Sequence, residues 1–392
     1  MSFKQRAAYW LTLSIFTIGV TILVLLLLAA PYFPRLVQEG YPKMTWPAQG
    51  SFADIGEGGR RAHDISRAPA QLKFDEAGRR EFEDKGGNAL LIYQDGALRF
   101  EHYATGVTAE TRFNSYSMVK SLVGALVLKA HSEALIADLS DPIGRYLPAI
   151  ADADVGALPI RSLLRMHSGI IFEPKGAKAM FGGEHKNIER FRVNPFGPMA
   201  RLHMTGMDRL IGELRVDRRA VGVFDYQNVN TAILGRLLAQ VYQKPLQDIL
   251  HEKIWRPAGA GKAHWRQYGA GKEATPYCCI YATTMDWLKI GVYLVHNGDL
   301  GSPFLPEPLW RRLMGLDLSR ADIARGRYGL HVYHDVLDRD GEALQGPFTY
   351  FFGSGGQITY LMPDEDLVVV RFGEKIQLLH TTLYAAWRTL EP

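Results

Sequence analysis

Ser117-Met118-Val119-Lys120-Ser121-Leu122-Val123-Gly124-Ala125-Leu126-Val127-Leu128 sets a hydroxyl and an amine three residues apart at the head of an apolar run. The periodicity of the run predicts a helix. Positions i and i+3 share a helix face, so hydroxyl and amine can meet. A lysine near a helix N-terminus, in apolar surroundings, is pushed toward its neutral form. A neutral amine can take a proton from serine, and this pairing is one route to a nucleophilic serine. Ser-x-x-Lys also recurs about once by chance in a chain of this size. A serine at a helix start beside a snorkelling lysine gives the same string. The catalytic reading therefore rests on the company the pair keeps.

The chain has 392 residues, enough for one large domain or two interlocked ones. A hydrophobic share of 47% and a charged share of 22% mark it as globular. A net charge of +4, from 45 basic and 41 acidic side chains, gives no argument for nucleic acid. Nor is there a dense Lys/Arg stripe with interleaved aromatics. The two cysteines, Cys278 and Cys279, are neighbours, and neighbours rarely satisfy disulfide geometry. They read as small apolar packing residues, with no disulfide framework and no zinc site. His331, His334 and Asp335 invite a metal reading. Tyr328 to Val336 reads as one strand, however, where an offset of three puts the two histidines on opposite faces. No metal or other cofactor is expected. The absence of a Gly-x-Ser-x-Gly elbow speaks against a Ser-His-Asp hydrolase.

Ala7 to Ala30 carries no charge, follows Lys4 and Arg6, and is long enough to span a bilayer. Leu28-Ala29-Ala30-Pro31 is a poor cleavage site, and Tyr9 and Trp10 suit an interface. Residues 1–30 are thus expected to be an uncleaved, single-pass anchor in the cell (inner) membrane. The positive-inside rule places the remainder on the extracytoplasmic, periplasmic side. Residues 31–71, rich in Pro, Gly and charge, read as a tether, and residues 72–392 as the folded domain.

Within that domain, Phe74 to Asp84 reads as a short helix stopped by Gly86-Gly87. Residues 88–93 and 97–103 flank Asp95-Gly96 as a hairpin. About Asp141 to Asn297 reads as mostly helical, with amphipathic stretches at Asn228–Tyr242 and Thr284–Val295. Strands return at Tyr328–Val336, Phe348–Phe352, Gln357–Leu361 and Leu367–Phe372, before a closing helix at Ile376–Leu390. Strands at both ends with helices between predict an α+β fold. It would be an antiparallel sheet flanked by helices, with a mainly helical insertion at about 141–297, preceded by one transmembrane helix.

Two more boxes accompany the Ser-Lys pair. Phe224-Asp225-Tyr226-Gln227-Asn228 precedes a helix and offers a phenol for proton relay and an amide for a carbonyl or the lysine. Tyr226 as a packing residue and Asn228 as a helix cap explain the same letters. Phe351-Phe352-Gly353-Ser354-Gly355-Gly356-Gln357 lies between two strands. Its glycines allow close backbone approach, so a strand-edge N–H can complete an oxyanion hole. A simple hairpin turn reads the same way.

In this order the boxes resemble the serine β-lactamase and D,D-peptidase superfamily, in its class C-like branch. Within it the chain is similar to the 6-aminohexanoate-dimer hydrolase and esterase-like subgroup. The matching stretches are Ser115-Tyr116-Ser117-Met118-Val119-Lys120-Ser121, Ile160-Arg161-Ser162-Leu163-Leu164-Arg165-Met166-His167-Ser168-Gly169-Ile170, and the second and third boxes. The resemblance covers roughly Gly87 to the C-terminus and implies a β-lactamase/transpeptidase-like serine hydrolase. Ser117 would be the acylated nucleophile, and Lys120 its proton acceptor, sharing the proton with Tyr226. Tyr226 would protonate the leaving group, and Asn228 would orient Lys120 and the substrate carbonyl. Backbone N–H groups of Ser117 and Ser354, beside Gly353, would form the oxyanion hole. The subgroup acts on small linear amides, esters or peptides.

The chain departs from the pattern where penicillin-recognising members carry Lys-Thr-Gly or His-Thr-Gly, since it has Phe351-Phe352-Gly353 there. That removes a grip on a substrate carboxylate, and the aromatic pair favours an apolar or neutral acyl substrate. D,D-peptidase or β-lactamase activity stands as the alternative, as does a membrane-tethered sensor that acylates slowly or binds without turnover.

Overall fold

An apolar run without a polar face has to be enclosed on all sides. The run after Ser117 meets that need as a core helix, Val119–Ser132, with Val119, Leu122, Val123, Ala125, Leu126, Val127 and Leu128 wholly buried. Each large apolar side chain buried in this way contributes about 1.5–3 kcal/mol. The computed structural model describes residues 3–29, 31–40, 42–59, 65–68, 76–172, 197–269, 271–299, 301–335, 338–339, 342–343 and 348–375. The closing helix expected at 376–390 lies outside the described residues.

In chain order, the elements that build the site begin with α1 (Phe3–Ala29), α2 (Phe33–Glu39), β1 (Phe52–Ile55), α3 (Glu76–Asp84), β2 (Gly87–Gln94), β3 (Ala97–Tyr103), β4 (Arg112–Asn114) and α4 (Val119–Ser132). They continue with α5 (Ile160–Leu164), α6 (Pro198–Thr205), α7 (Asn228–Tyr242), β5 (Ala263–Tyr268), β6 (Ile280–Thr283) and α8 (Thr284–Val295). The last are β7 (Tyr328–Gly329), β8 (Val332–Asp335), β9 (Phe348–Gly353), β10 (Gln357–Met362) and β11 (Leu367–Gly373).

The class is α+β. The main sheet runs β7-β8-β9-β10-β11-β2-β3, with Ser66–Arg67 parallel to β3 at the outer edge. β11 pairs antiparallel with β2, Val369 opposite Ile92, so strands from both ends of the domain meet mid-sheet. α8 lies on this sheet at Gly291, where a Cβ would press on Val368. A capping box starts α8: Thr283 Oγ1 accepts from Asp286 N at 3.2 Å, and Asp286 Oδ2 accepts from Thr283 N at 3.0 Å.

Strands also occur within the mainly helical 141–297 region: β5 and β6 join β1 and β4 in a second antiparallel sheet, β1-β5-β6-β4. The polar Arg266 in β5 hides the strand pattern because it is itself buried, satisfied in part by Glu39. The single strand expected at 328–336 is a hairpin, β7 and β8, that turns at Leu330 and His331 with φ of +55° and +64°.

α1 is long and apolar enough to cross a membrane, and the apolar side chains of Ala8–Leu25 are exposed. The stretch read as a tether is, over much of its length, part of the fold. Glu39, at the end of α2, is buried and accepts from Arg35 Nε (2.6 Å), His203 Nε2 (3.2 Å) and Arg266 Nη2 (3.3 Å). Burial raises its pKa, but the hydrogen bonds from His203 and Arg35 outweigh this and hold it at about 2. Beyond it, β1 pairs along β5, and Trp46 stacks on His264 with ring centroids 4.0 Å apart. Composition marked this stretch as loop; backbone and ionic partners far away in sequence decide its fate.

Candidate active site

β4 ends at Asn114, and the chain turns a corner before entering α4 through a short 3-10 turn, Tyr116–Met118. Tyr116 takes φ of +44°, a rare conformation for a bulky residue, costing about 1–3 kcal/mol. The corner is held against β6: Ser115 N donates to Ile280 O at 2.8 Å, Ile280 N donates to Ser115 Oγ at 3.0 Å, and Cys279 N donates to Tyr116 O at 3.2 Å. Ser117 thus stands half-buried at the tip of a strained turn, one step before the helix.

Lys120 is 1% exposed in the first turn of α4. Its Nζ donates to Ser117 Oγ at 2.9 Å and to the carbonyl of Tyr277 at 2.8 Å. The same nitrogen lies 5.1 Å from the ring centroid of Tyr226. Tyr226, just ahead of α7, packs edge-on against Tyr328 at 5.8 Å. The structure therefore brings Ser117, Lys120 and Tyr226 together. Asn228 opens α7, with Gln227 at the cap position, and its Nδ2 points to Met199 Sδ at 3.5 Å. The Tyr277 carbonyl was missed, because a backbone acceptor leaves no signature in the letters.

The third box closes the site from the other sheet. A Cβ at Gly353 would collide with the Ser115 carbonyl oxygen, so only glycine lets β9 meet the corner that carries Ser117. Ser354-Gly355-Gly356 forms the turn into β10, with Gly355 and Gly356 both at φ +81°. Two wholly buried side chains brace that turn. Gln357 Nε2 donates to Ser354 O at 2.9 Å, Gln357 Oε1 accepts from Gly373 N at 2.9 Å, and Arg371 Nη1 donates to Gly356 O. β8 pairs with β9 only over Phe348–Tyr350, leaving the Phe351–Gly353 edge without a described strand neighbour on that side. The aromatic pair divides between the two faces: Phe351 is buried in the main core, and Phe352 packs against Tyr333 at 6.2 Å.

The cysteine reading is also corrected. Cys278 and Cys279 are joined as a disulfide between neighbours, Cα–Cα 3.7 Å, in a turn where Cys279 has φ of +77°. Among the described residues no group of three or more His, Cys, Asp or Glu is placed to hold a metal ion. His334 meets Thr349 Oγ1 at 2.8 Å, and Asp335 pairs with Arg327 at 2.8 Å.

His331 ties three elements together behind the Ser-Lys pair. Its Nδ1 faces the Leu164 carbonyl (3.0 Å), its Nε2 faces Thr231 Oγ1 (3.0 Å), and its own carbonyl accepts from Ser121 Oγ (2.7 Å). These partners fix the Nδ1–H tautomer. Burial pushes the imidazole down from 6.5 to about 3, against the Leu164 hydrogen bond. The unfolded chain takes up this proton near 6.5 and the folded one only near 3, so stability is lost as pH falls through that window. From about pH 7.5 to about pH 5 the loss from this residue is about 2 kcal/mol. Denaturant melts at the two pH values should show it in the wild type, and His331→Asn should flatten it.

A family model described as Beta-lactamase matches residues 79–375. The chain is 22% identical over 198 residues to a Bacillus subtilis (strain 168) protein provisionally named penicillin-binding protein PbpX, a match covering 50% of this chain and 40% of that relative. The match therefore spans well under half of the relative's length. Among solved structures, one from Bacillus anthracis provisionally named a 6-aminohexanoate-dimer hydrolase superposes with a TM-score of 0.66 at 18% identity, covering 87% of this chain and 89% of that one. A D-stereospecific amidohydrolase from Streptomyces sp. gives a TM-score of 0.54 at 15% identity, covering 77% and 94%. At these identities the structural likeness concerns the fold.

Proposed function

Because the chain belongs to the beta-lactamase family, whose members are serine hydrolases acting on amides and esters, we propose that it is a membrane-anchored hydrolase that cleaves a small linear amide, ester or peptide through a Ser117 acyl-enzyme. The observation that carries this reading is the 2.9 Å contact between Lys120 Nζ and Ser117 Oγ, with Tyr226 across the same nitrogen.

Chemically, a neutral Lys120 amine takes the Ser117 hydroxyl proton as Oγ adds to the substrate carbonyl. The negative charge that forms on the carbonyl oxygen sits between the N–H groups of Ser117 and Ser354. The Tyr226 hydroxyl gives its proton to the departing amine or alcohol, and is reprotonated through Lys120. Water, losing a proton to the Tyr226–Lys120 pair, then adds to the ester, and Ser117 leaves with that proton. Asn228, two residues after Tyr226, is the proposed partner for the substrate carbonyl. The Phe351–Gly353 edge, without a described strand neighbour on the β8 side, offers backbone groups to a linear substrate. In this reading α1 is the anchor, and the catalytic domain lies on the extracytoplasmic side.

A single experiment tests both parts. Membranes carrying the full chain are treated with a fluorophosphonate probe, washed in carbonate and digested. The expected result is one adduct, on the peptide containing Ser117, retained in the membrane pellet. An unlabelled protein overturns the hydrolase reading, and labelled protein in the wash overturns the anchor. Acyl esters, 6-aminohexanoate oligomers, D-amino-acid peptides and nitrocefin compared side by side then rank the substrate classes.

A further inference from the structure

We infer that the backbone of Pro42–Trp46, directly after the anchor-proximal helix α2, is a positioning strap that sets the spacing of the oxyanion hole. The inference rests on Ser117 being the nucleophile.

The strap runs beside β4. Trp46 N donates to Arg112 O at 3.0 Å, Thr45 bridges Phe113, and Asn114 N donates to Met44 O at 2.7 Å. From there two chains of contacts lead to the two arms of the site. In the first, Lys43 O accepts from Asn114 Nδ2 (3.1 Å) and Tyr281 Oη (2.8 Å), and Asn114 Oδ1 accepts from Tyr116 N at 2.9 Å. Tyr116 Oη also donates to Pro42 O at 3.3 Å. Tyr116 is the strained residue immediately before Ser117, so the strap grips the corner that aims the Ser117 N–H. In the second chain, Gln357 Nε2 approaches Met44 Sδ at 3.7 Å and donates to Ser354 O at 2.9 Å. Ser354 carries the other N–H.

One short segment therefore touches the supports of both N–H donors. Its upstream end is pinned by buried Glu39 to Arg266 and His203, so the grip has a fixed base. An oxyanion hole works only if its two donors keep their separation while charge develops. A positive-φ corner held by an ordinary side chain relaxes unless its surroundings over-determine it. The strap supplies that constraint. Asn114, Tyr116 and Tyr281 are thus positioning residues, and none of them is assigned a role at the reacting atoms.

The test uses the full chain in detergent micelles. Tyr116→Phe and Tyr281→Phe, singly and combined, remove the hydroxyls that reach the strap while keeping ring volume. Asn114→Ala cuts the link between Lys43 and Tyr116. Ester turnover is measured with active-site titration by the fluorophosphonate probe, so that rate per titratable site and fraction of titratable sites are read separately. The double Tyr variant should lose about tenfold in kcat per site, and Asn114→Ala about a hundredfold, with KM within about twofold of wild type. The pH midpoint of kcat should not move, because Lys120 is untouched. A fall only in the fraction of titratable sites, with the rate per site kept, marks a merely structural role and overturns the strap. If Asn114→Ala fails to fold, the two tyrosine variants decide by the same readout. An adduct on a serine other than Ser117 overturns the nucleophile reading and the strap with it; an adduct on Ser117 with unchanged rates overturns the strap alone.

Discussion

Lys120→Ala should leave Ser117 in place and slow its acylation by about 10²–10⁴-fold, the usual worth of a positioned general base. The amine is the group seen within hydrogen-bond reach of Ser117 Oγ, and it is buried, so bulk water is a poor substitute. Ser117→Ala should remove covalent labelling altogether. The two variants separate roles: one loses the nucleophile, the other only its activation. Pre-steady-state labelling with the fluorophosphonate probe, followed by ester hydrolysis, reads both. Turnover by Lys120→Ala within a few-fold of wild type would mean that the base lies elsewhere. Lys120 also donates to the Tyr277 carbonyl, so its loss leaves a buried acceptor and a small void. An unfolding temperature measured alongside keeps that structural cost apart from the kinetic one.

Gly353→Ala should cost activity out of proportion to its size. The added methyl would occupy the place of the Ser115 carbonyl oxygen, which is backbone and cannot swing aside. That oxygen also accepts from Met118 N at 3.2 Å, in the turn that leads into α4. Either β9 backs away, opening the proposed oxyanion hole, or the corner bearing Ser117 shifts. Overpacking of this kind costs about 1–3 kcal/mol of stability. A displacement near 1 Å of a reacting group costs about a hundredfold in rate. A thermal melt and kcat on the same preparation should show a modest fall in the first and a large one in the second. Wild-type kcat in a folded Gly353→Ala protein would remove Gly353 from the site.

Much of the architecture could be read from single elements. Asn228–Tyr242 and Thr284–Val295 emerge as helices with those bounds because their apolar spacing is regular, and a capping box marks the start of the second. The Asp95-Gly96 hairpin and the strands of β9 to β11 follow from turn chemistry and apolar runs. Strands β5 and β6 escaped notice because Arg266 breaks the apolar pattern of one, and β6 is four residues long beside a strong helix. The hairpin at Leu330-His331 was missed because non-glycine residues with positive φ carry no reliable mark in the letters. The meeting of Ser117, Lys120 and Tyr226 was legible because their side chains carry the signal of the three boxes. Their backbone partners, such as the Tyr277 and Lys43 carbonyls, were not, since any residue supplies the same oxygen. The tether was misread for the same reason: Pro and Gly reveal irregular backbone but not what that backbone is bonded to.

The lock formed by Glu39, Arg266 and His203 reaches further than its own hydrogen bonds. With α1 seated in a bilayer, the chain between Ala29 and Phe33 can span no more than about 14 Å, and the next helix is already fastened to the catalytic body. An active site so anchored would have no long leash. It would sweep a thin layer above the lipid headgroups rather than a hemisphere of solvent, and its encounters would become a search over a surface. Substrates that dwell at that surface would meet it far more often than equally reactive molecules in the bulk.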